Sequence, residues 1–146
     1  MKIFLSYALA LSFLVLSHEA LADKKDFCQV KLSSEYCAMV KFDAPIGRKE
    51  DARFKFAVID MKGHQIKLSK KPKLKLWMIM DNGHGHGSDK LKIQAKKNHY
   101  LVSNVWFLML GQWQLKIEVK LKGKTFKKDL DICVMKPAKL SKIGKC

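Results

Sequence analysis

Short runs of alternating apolar and polar residues are the feature that most constrains the fold of this chain. The runs are YCAMVKF, RFKFAVID, KLKLWMIM and QWQLKIEVKL, and the turn signals Lys62-Gly63, Asn82-Gly83 and Lys122-Gly123 follow the last three. Side chains that alternate with a period of two point to opposite faces of a β-strand, so one face can be buried while the other is hydrated. The pattern therefore predicts an all-β fold, an immunoglobulin-like antiparallel β-sandwich of about seven strands.

One position interrupts this alternation. After the Lys122-Gly123 turn, the apolar positions continue through Phe126, Leu130 and Ile132, but Lys128 stands where an apolar side chain is expected. A charged residue on the inner face of a strand is typical of a sheet edge or a β-bulge. We therefore expect one of these two features at Lys128.

The first 22 residues are organised like a secretory signal peptide. Lys2 precedes an apolar run over residues 3–16, and the small-residue pattern Ala20-Leu21-Ala22 follows. This run of about 14 residues is shorter than the roughly 20 that a membrane-spanning helix needs. We therefore predict a signal peptide over residues 1–22, a single domain over residues 23–146, no transmembrane segment in the mature chain, and a periplasmic or secreted location.

The chain has four cysteines, and export would bring them into an oxidising compartment where disulfides are favoured. Three pairings are possible. If the segment CQVKLSSEYC forms a hairpin, Cys28 lies opposite Cys37, and Cys133 is left to pair with Cys146. A thiolate metal site is the alternative, although the spacings contain no Cys-x-x-Cys motif. We predict the disulfides Cys28–Cys37 and Cys133–Cys146.

The basic residues are almost all lysines. The formal net charge is +16, and Arg48 and Arg53 are the only arginines. Nucleic-acid readers favour arginine because its guanidinium forms two parallel hydrogen bonds, so this composition argues against a nucleic-acid partner. A lysine-rich surface instead favours a loose, salt-sensitive attraction to an anionic envelope component or an acidic protein partner.

Two methionines and two histidines lie close together in the segment WMIMDNGHGHG at residues 77–87. Met78 and Met80 continue a row of leucines, which is typical of core packing, but Met80 comes last and adjoins a polar turn. His84 and His86 alternate with glycine, and in an extended conformation their rings point the same way. The alternative to a metal site is a strand of core methionines followed by a plain glycine loop.

The donor types of this segment favour copper. Thioethers are soft ligands that select Cu(I), and imidazole suits both Cu(I) and Cu(II). Asp81 and Asp89 keep Cu(II) or zinc open as alternatives. Met109 has the same parity as Phe107 and Trp113, which predicts that it points inward, and a bend at the following glycine could bring it to the histidines.

A longer segment, residues 74–119, resembles the YtkA-like domain, an exported or membrane-tethered family related to FixH proteins. The matching residues are Met80, Gly83, His84, Gly85, Tyr100, Phe107, Met109, Gly111 and Trp113. Leu110 departs from the proline that is common in the family, and Asp81-Asn82 departs from its small or apolar pair. The resemblance implies an immunoglobulin-like sandwich and a role in copper handling or oxidase assembly.

Together these features predict a periplasmic copper-binding or copper-delivery protein, with Met80, His84, His86 and Met109 as ligands and Met78 as a supporting ligand. The alternative is a metal-free binding module that uses its lysine surface. An enzyme is not expected, because the chain has neither a Gly-x-Ser-x-Gly elbow nor a phosphate-binding glycine loop. The tryptophans Trp77, Trp106 and Trp113 could form a carbohydrate-stacking platform, but core packing is the preferred interpretation.

Overall fold

The computed structural model describes residues 28–146, so the predicted signal peptide lies outside the described residues. The strands are β1 (Val30–Lys31), β2 (Tyr36–Phe42), β3 (Asp51–Asp60), β4 (Gln65–Ile66), β5 (Lys73–Ile79), β6 (Gly85–Gly87), β7 (Lys92–Ala95), β8 (Tyr100–Trp106), β9 (Gly111–Leu121), β10 (Lys124–Val134) and β11 (Lys142–Ile143). A single 3₁₀ turn, Ala138–Leu140, is the only helix in this part of the chain. Within it, no helix has the length and apolar character needed to cross a membrane.

The strands form two antiparallel sheets. The first sheet has the order β1-β2-β3-β8-β7, with β4 also paired to β3, and the second has the order β11-β10-β9-β5-β6. The order β2-β3-β8-β7 corresponds to strands A-B-E-D of an immunoglobulin sandwich, and β10-β9-β5 corresponds to G-F-C. The predicted fold class is confirmed, and the strands of four or more residues are the seven that this topology needs.

The core lies between the sheets and follows the predicted alternation. In β9 the odd-numbered positions from Trp113 to Leu121 are buried, and the even-numbered positions are half-buried or exposed. Trp113 packs edge-to-face against Phe107, with 5.4 Å between the ring centroids. The buried tryptophan of antibody domains comes from strand C, whereas here it comes from the F-position strand. Trp113 thus lies beside the β8–β9 connection, and its Nε1 donates to the Met109 carbonyl.

Both predicted disulfides are present, Cys28–Cys37 and Cys133–Cys146. The second joins the C-terminal tail to β10, and β11 pairs with Ile132 and Cys133 along the same edge. The backbone N–H of Cys146 donates to Gln112 Oε1 at 2.8 Å, which adds a contact to β9. The tail therefore covers part of the β10 edge and protects it from pairing with other strands.

Lys128 marks an edge and not a bulge. The β9–β10 register continues without interruption from Lys124 opposite Leu121 to Val134 opposite Gly111. The tail strand covers β10 only at Ile132 and Cys133, so Lys128 lies on the open part of that edge. The register irregularity in the described chain lies elsewhere, between Ala52 and Phe54 where β3 pairs with β8.

The strand register defines two ends of the sandwich. One end carries the connections at residues 43–50, 80–84, 107–110 and 135–137, and we call it the histidine end after His84 and His86. We call the lysine end the one that carries the connections at residues 32–35, 61–64, 67–72, 96–99 and 122–123. The pairs Asp51–Trp106, Met78–Trp113 and Gly111–Val134 all lie towards the histidine end.

Candidate metal centre

The two histidines lie on a tight hairpin between β5 and β6. The N–H of Gly83 donates to the Met80 carbonyl at 2.9 Å, and the N–H of Met80 donates to the His84 carbonyl at 2.9 Å. Gly83 has a φ of 78°, in the left-handed region that glycine adopts at least cost. Asn82 Oδ1 also accepts from the His84 N–H at 3.0 Å. The Asn-Gly signal thus makes a three-residue hairpin loop, which fixes the register of the strands on either side.

This register brings each methionine opposite a histidine. Met78 pairs with His86, and the hydrogen bond that closes the hairpin pairs Met80 with His84. Partners in an antiparallel pair project their side chains to the same face of the sheet. Met78, Met80, His84 and His86 therefore share one face, with two thioethers on β5 and its extension opposite two imidazoles on β6.

Solvent exposure increases from Met78 through Met80 to the two histidines. Met78 is only 7% exposed and lies between His86 and the buried Trp113, which pairs with it from β9. Met80 is half-buried, while both histidines are exposed because β6 is the edge strand of the second sheet. Met78 is thus a core residue, as the leucine row predicts, and Met80 has the half-reachable position expected for a residue beside the turn.

The predicted inward orientation of Met109 is wrong, because its side chain is 41% exposed. Strand β8 ends at Trp106, so the alternation that gives Phe107 and Trp113 their inward parity does not continue through Met109. The Met109 carbonyl accepts a hydrogen bond from Trp113 Nε1 at 3.0 Å. Met109 is therefore held by its backbone at the histidine end, and the residue is exposed to solvent.

The bend predicted beside Met109 is present at Gly111, whose φ is 117°. A Cβ added to Gly111 would lie 3.9 Å from Met78 Cε, so this part of the chain runs next to the Met78 thioether. The β8–β9 connection and the histidine hairpin, far apart in sequence, therefore meet at one end of the sandwich. This convergence is the spatial condition that a Met109 contribution to the site requires.

Carboxylates do not complete a site around the histidines. Among residues 28–146, no three side chains of the types His, Cys, Asp and Glu lie close enough together to hold a metal ion. Asp81 and Asp89 are both exposed. A metal held by His84 and His86 would therefore take its further protein ligands from the thioethers.

The glycines of the GHGHG segment have a role that the sequence interpretation missed. A Cβ on Gly85 would collide with the indole nitrogen of Trp77 and would lie 2.8 Å from the Met78 carbonyl. A Cβ on Gly87 would lie 3.4 Å from the same indole. The Trp77 side chain thus lies across the glycines on the face opposite the histidines, as aromatic side chains do when they cover glycines of edge strands. Alternating glycines opposite a tryptophan could have been the signal.

Strand β6 is also attached to the first sheet. Ser88 Oγ donates to the Trp106 carbonyl at 3.1 Å, and the Ser88 N–H donates to the Leu76 carbonyl at 3.1 Å. On the outer face, Lys75 Nζ lies 4.6 Å from the centroid of the Trp77 ring. The hairpin that carries the histidines is therefore held by both sheets and by the indole, which limits its movement.

The other described histidines, His64 and His99, lie in connections at the lysine end. His64 Nδ1 lies 3.0 Å from Asp60 Oδ2. Desolvation would raise the pKa of Asp60, but hydrogen bonds from His64 and Lys62 outweigh it and lower that pKa below its usual value. These two histidines do not contribute to the methionine and histidine group, and they supply natural controls for it.

Trp77, Trp106 and Trp113 do not form one stacking surface. Trp113 is 2% exposed inside the sandwich, while Trp77 covers the glycines on the outer face of the second sheet. Trp106 Nε1 donates to Asn104 Oδ1 at 3.1 Å. The preferred interpretation, core packing, is correct for Trp113.

Comparison with known proteins gives no match: no protein-family model, no curated protein and no solved structure matches this chain. The resemblance to the YtkA-like domain stays a prediction that rests on the residues of segment 74–119.

Proposed function

We propose that this protein is an exported, periplasmic copper-binding protein that holds Cu(I) at the histidine end and delivers it to a copper-accepting protein. Met80, His84, His86 and Met109 would be the ligands, and Met78 would support them from the core. The resemblance to the YtkA-like domain, with its implied link to copper handling, agrees with this proposal.

The observation that carries the proposal is the hairpin register. It pairs Met78 with His86 and Met80 with His84, so sulfur and nitrogen donors face each other across two adjacent strands. The attachment of β6 through Ser88 and Trp77 further supports a preorganised site, because it fixes the backbone that carries His86.

The donor chemistry favours Cu(I) over the alternatives. Thioethers are poor ligands for zinc and for hard cations, whereas Cu(I) accepts sulfur and imidazole together. Two disulfides in the described chain agree with an oxidising compartment, where no thiolate of this protein would compete for the metal. Cu(II) and zinc remain the ions against which selectivity is to be measured.

The exposure of the donors suits transfer of the ion. Both histidines and Met109 are exposed, while Met80 is half-buried. An acceptor could therefore approach the ion from the solvent side and replace these ligands one at a time. No reaction beyond reversible binding and transfer is proposed.

The test is competition for Cu(I) with a chromogenic chelator, under anaerobic conditions with ascorbate so that the disulfides stay intact. Replacing both imidazoles in His84→Ala/His86→Ala removes half of the proposed ligands, and we expect a loss of affinity of at least about a hundredfold. Met80→Leu and Met109→Leu keep the apolar volume and remove the sulfur, so each should weaken binding with little change in stability.

The matched control is His64→Ala/His99→Ala, which removes two imidazoles from the lysine end and should leave Cu(I) affinity unchanged. Equal Cu(I) affinity in the wild type and in His84→Ala/His86→Ala would exclude this site. Tighter binding of zinc than of Cu(I), unaffected by Met80→Leu and Met109→Leu, would also contradict the proposal.

A further inference from the structure

Positive charge is concentrated at the lysine end. Its five strand connections contain seven lysines and one carboxylate, Glu35, whereas the four connections of the histidine end contain three basic and three acidic residues. The C-terminal tail carries Lys139, Lys142 and Lys145, and it pairs with β10 at Ile132 and Cys133, towards the histidine end. Most of the unbalanced charge of the strand connections thus lies at the end away from the histidines.

A cleft opens within this basic end. It has a volume of about 270 Å³ and lies between residues 65–68, which include β4, and residues 95–100, which form the β7–β8 turn. Ala57 and Val58 of β3 form its floor. Lys67 contributes from one wall, and Lys96 and Lys97 contribute from the other. Three of the seven connection lysines of this end therefore line a concave site.

The two walls are held in place by backbone pairing and by one side chain. Ile66 and Gln65 of β4 pair with Val58 and Ile59 of β3. The Lys96 N–H donates to the His99 carbonyl at 2.8 Å and closes the opposite turn. The Gln65 side-chain amide donates to the Asn98 carbonyl and so joins the walls directly. The cleft is therefore formed before any ligand arrives.

The charges of the cleft are not neutralised within the described chain. No carboxylate lines it, and none of its three lysines takes part in a salt bridge among residues 28–146. The carboxylate nearest to these walls in sequence, Asp60, is already bound by His64 and Lys62. Glu118 of β9 forms salt bridges with both Lys73 and Lys127. The three lysines of the cleft are therefore available to bind an anion from solution.

We infer that this cleft binds a phosphate group. Three ammonium groups from two walls can approach different oxygens of a tetrahedral, multiply charged anion, and lysine binds phosphate as a point charge. The half-buried Ile66 and Tyr100 also line the cleft and suit the carbon skeleton of a phosphate ester. The same group occurs in free phosphate esters and in the headgroups of anionic lipids.

The first experiment is calorimetric titration with inorganic phosphate and with glycerol phosphate, at near-physiological ionic strength and with a metal chelator present. The cleft variant is Lys96→Gln/Lys97→Gln. The matched control is Lys70→Gln/Lys71→Gln, which removes the same charge from the same end but outside the cleft. We expect the cleft variant to bind about tenfold more weakly and the control to bind within about twofold of the wild type.

The second experiment separates the two sources of the phosphate group. The wild type and both variants are sedimented with phosphatidylcholine vesicles that contain or lack phosphatidylglycerol. Cleft-dependent binding of glycerol phosphate identifies a free ester, and cleft-dependent binding to the phosphatidylglycerol vesicles alone identifies a lipid headgroup. Either result supports the phosphate site.

Two results would overturn the inference. One is an equal loss of binding in the cleft variant and in its control, which would mean that the charge of this end acts as a diffuse field. The other is the absence of binding to all of these probes at near-physiological ionic strength. Because the chelator removes copper, neither result bears on the proposed function of the histidine end.

Discussion

The two ends of this sandwich differ in what their connections carry. The connections of the histidine end carry equal numbers of basic and acidic residues, and Leu108 and Met109 are 52% and 41% exposed there. The lysine end carries a surplus of lysines around a cleft. One β-scaffold thus presents thioether and imidazole groups at one end and lysine ammonium groups at the other. Since strand connections are the part of a sandwich least constrained by packing, each end can serve its own ligand.

The largest effect is expected from Trp113→Ala at the histidine end. Trp113 is 2% exposed, packs against Phe107 and donates to the Met109 carbonyl, so its removal leaves a cavity and frees the β8–β9 connection. We expect a loss of about 3–5 kcal/mol in the free energy of unfolding, measured with urea. Trp113→Phe keeps a ring but loses the N–H donor, and should cost about 1–2 kcal/mol. An equal cost for both variants would show that packing contributes little at this end.

An intermediate effect is expected from Gly85→Ala. The added methyl group meets Trp77 and the Met78 carbonyl, so we expect a loss of about 1–3 kcal/mol and a weaker Cu(I) site. The control at the lysine end is Gly123→Ala, where φ is 79° and no atom lies within 4 Å of the new Cβ. There only backbone strain acts, about 1 kcal/mol.

A double-mutant cycle tests the cause of the Gly85 effect. If the indole is what excludes a side chain, the cost of Gly85→Ala should be smaller in a Trp77→Ala background. If the free-energy costs of Gly85→Ala and Trp77→Ala are strictly additive, the cost of Gly85→Ala arises from the Met78 backbone alone.

The smallest effect is expected from Asp60→Asn at the lysine end. Asp60 Oδ1 accepts from the N–H groups of Lys62 and His64 at 2.8 Å, and these bonds favour the charged carboxylate. Its pKa is lowered from the usual value of 3.8, so its charge stabilises the folded chain above that pH. We expect a slightly lower melting temperature for Asp60→Asn at neutral pH. The difference should shrink as the pH falls through the lowered pKa of Asp60, and a difference that grows on acidification would contradict this assignment.

Local sequence signals predicted much of the fold. The alternation in each run gave the strands and their buried faces, and the Asn82-Gly83 signal marked the hairpin whose register pairs the methionines with the histidines. The predicted pairing of Cys28 with Cys37 is confirmed, but the β1–β2 register places Lys31, and not Cys28, opposite Cys37. These predictions succeeded because period-two burial and tight turns depend on residues that are close in sequence.

The errors and omissions concern contacts that the period-two pattern does not describe, although the residues involved are only four and eight positions apart. Met109 does not point inward, because β8 ends at Trp106 and the alternation ends with it. The hydrogen bond from Trp113 to the Met109 carbonyl then holds the β8–β9 connection in a different orientation. The role of Gly85 depends on an indole from the neighbouring strand. Neither effect leaves a trace in the hydrophobic pattern of its own segment.

By itself, the sequence determined the main strands, the sign of the charge and the donor types, because each of these follows from residue identity and short-range periodicity. Only the tertiary structure decided where these groups meet. The pairing of the strands moved the lysines of several connections to one end and brought the β8–β9 connection and the histidine hairpin to the other. Distances between such segments depend on the packing of two sheets around a shared core, which no single stretch of the chain encodes.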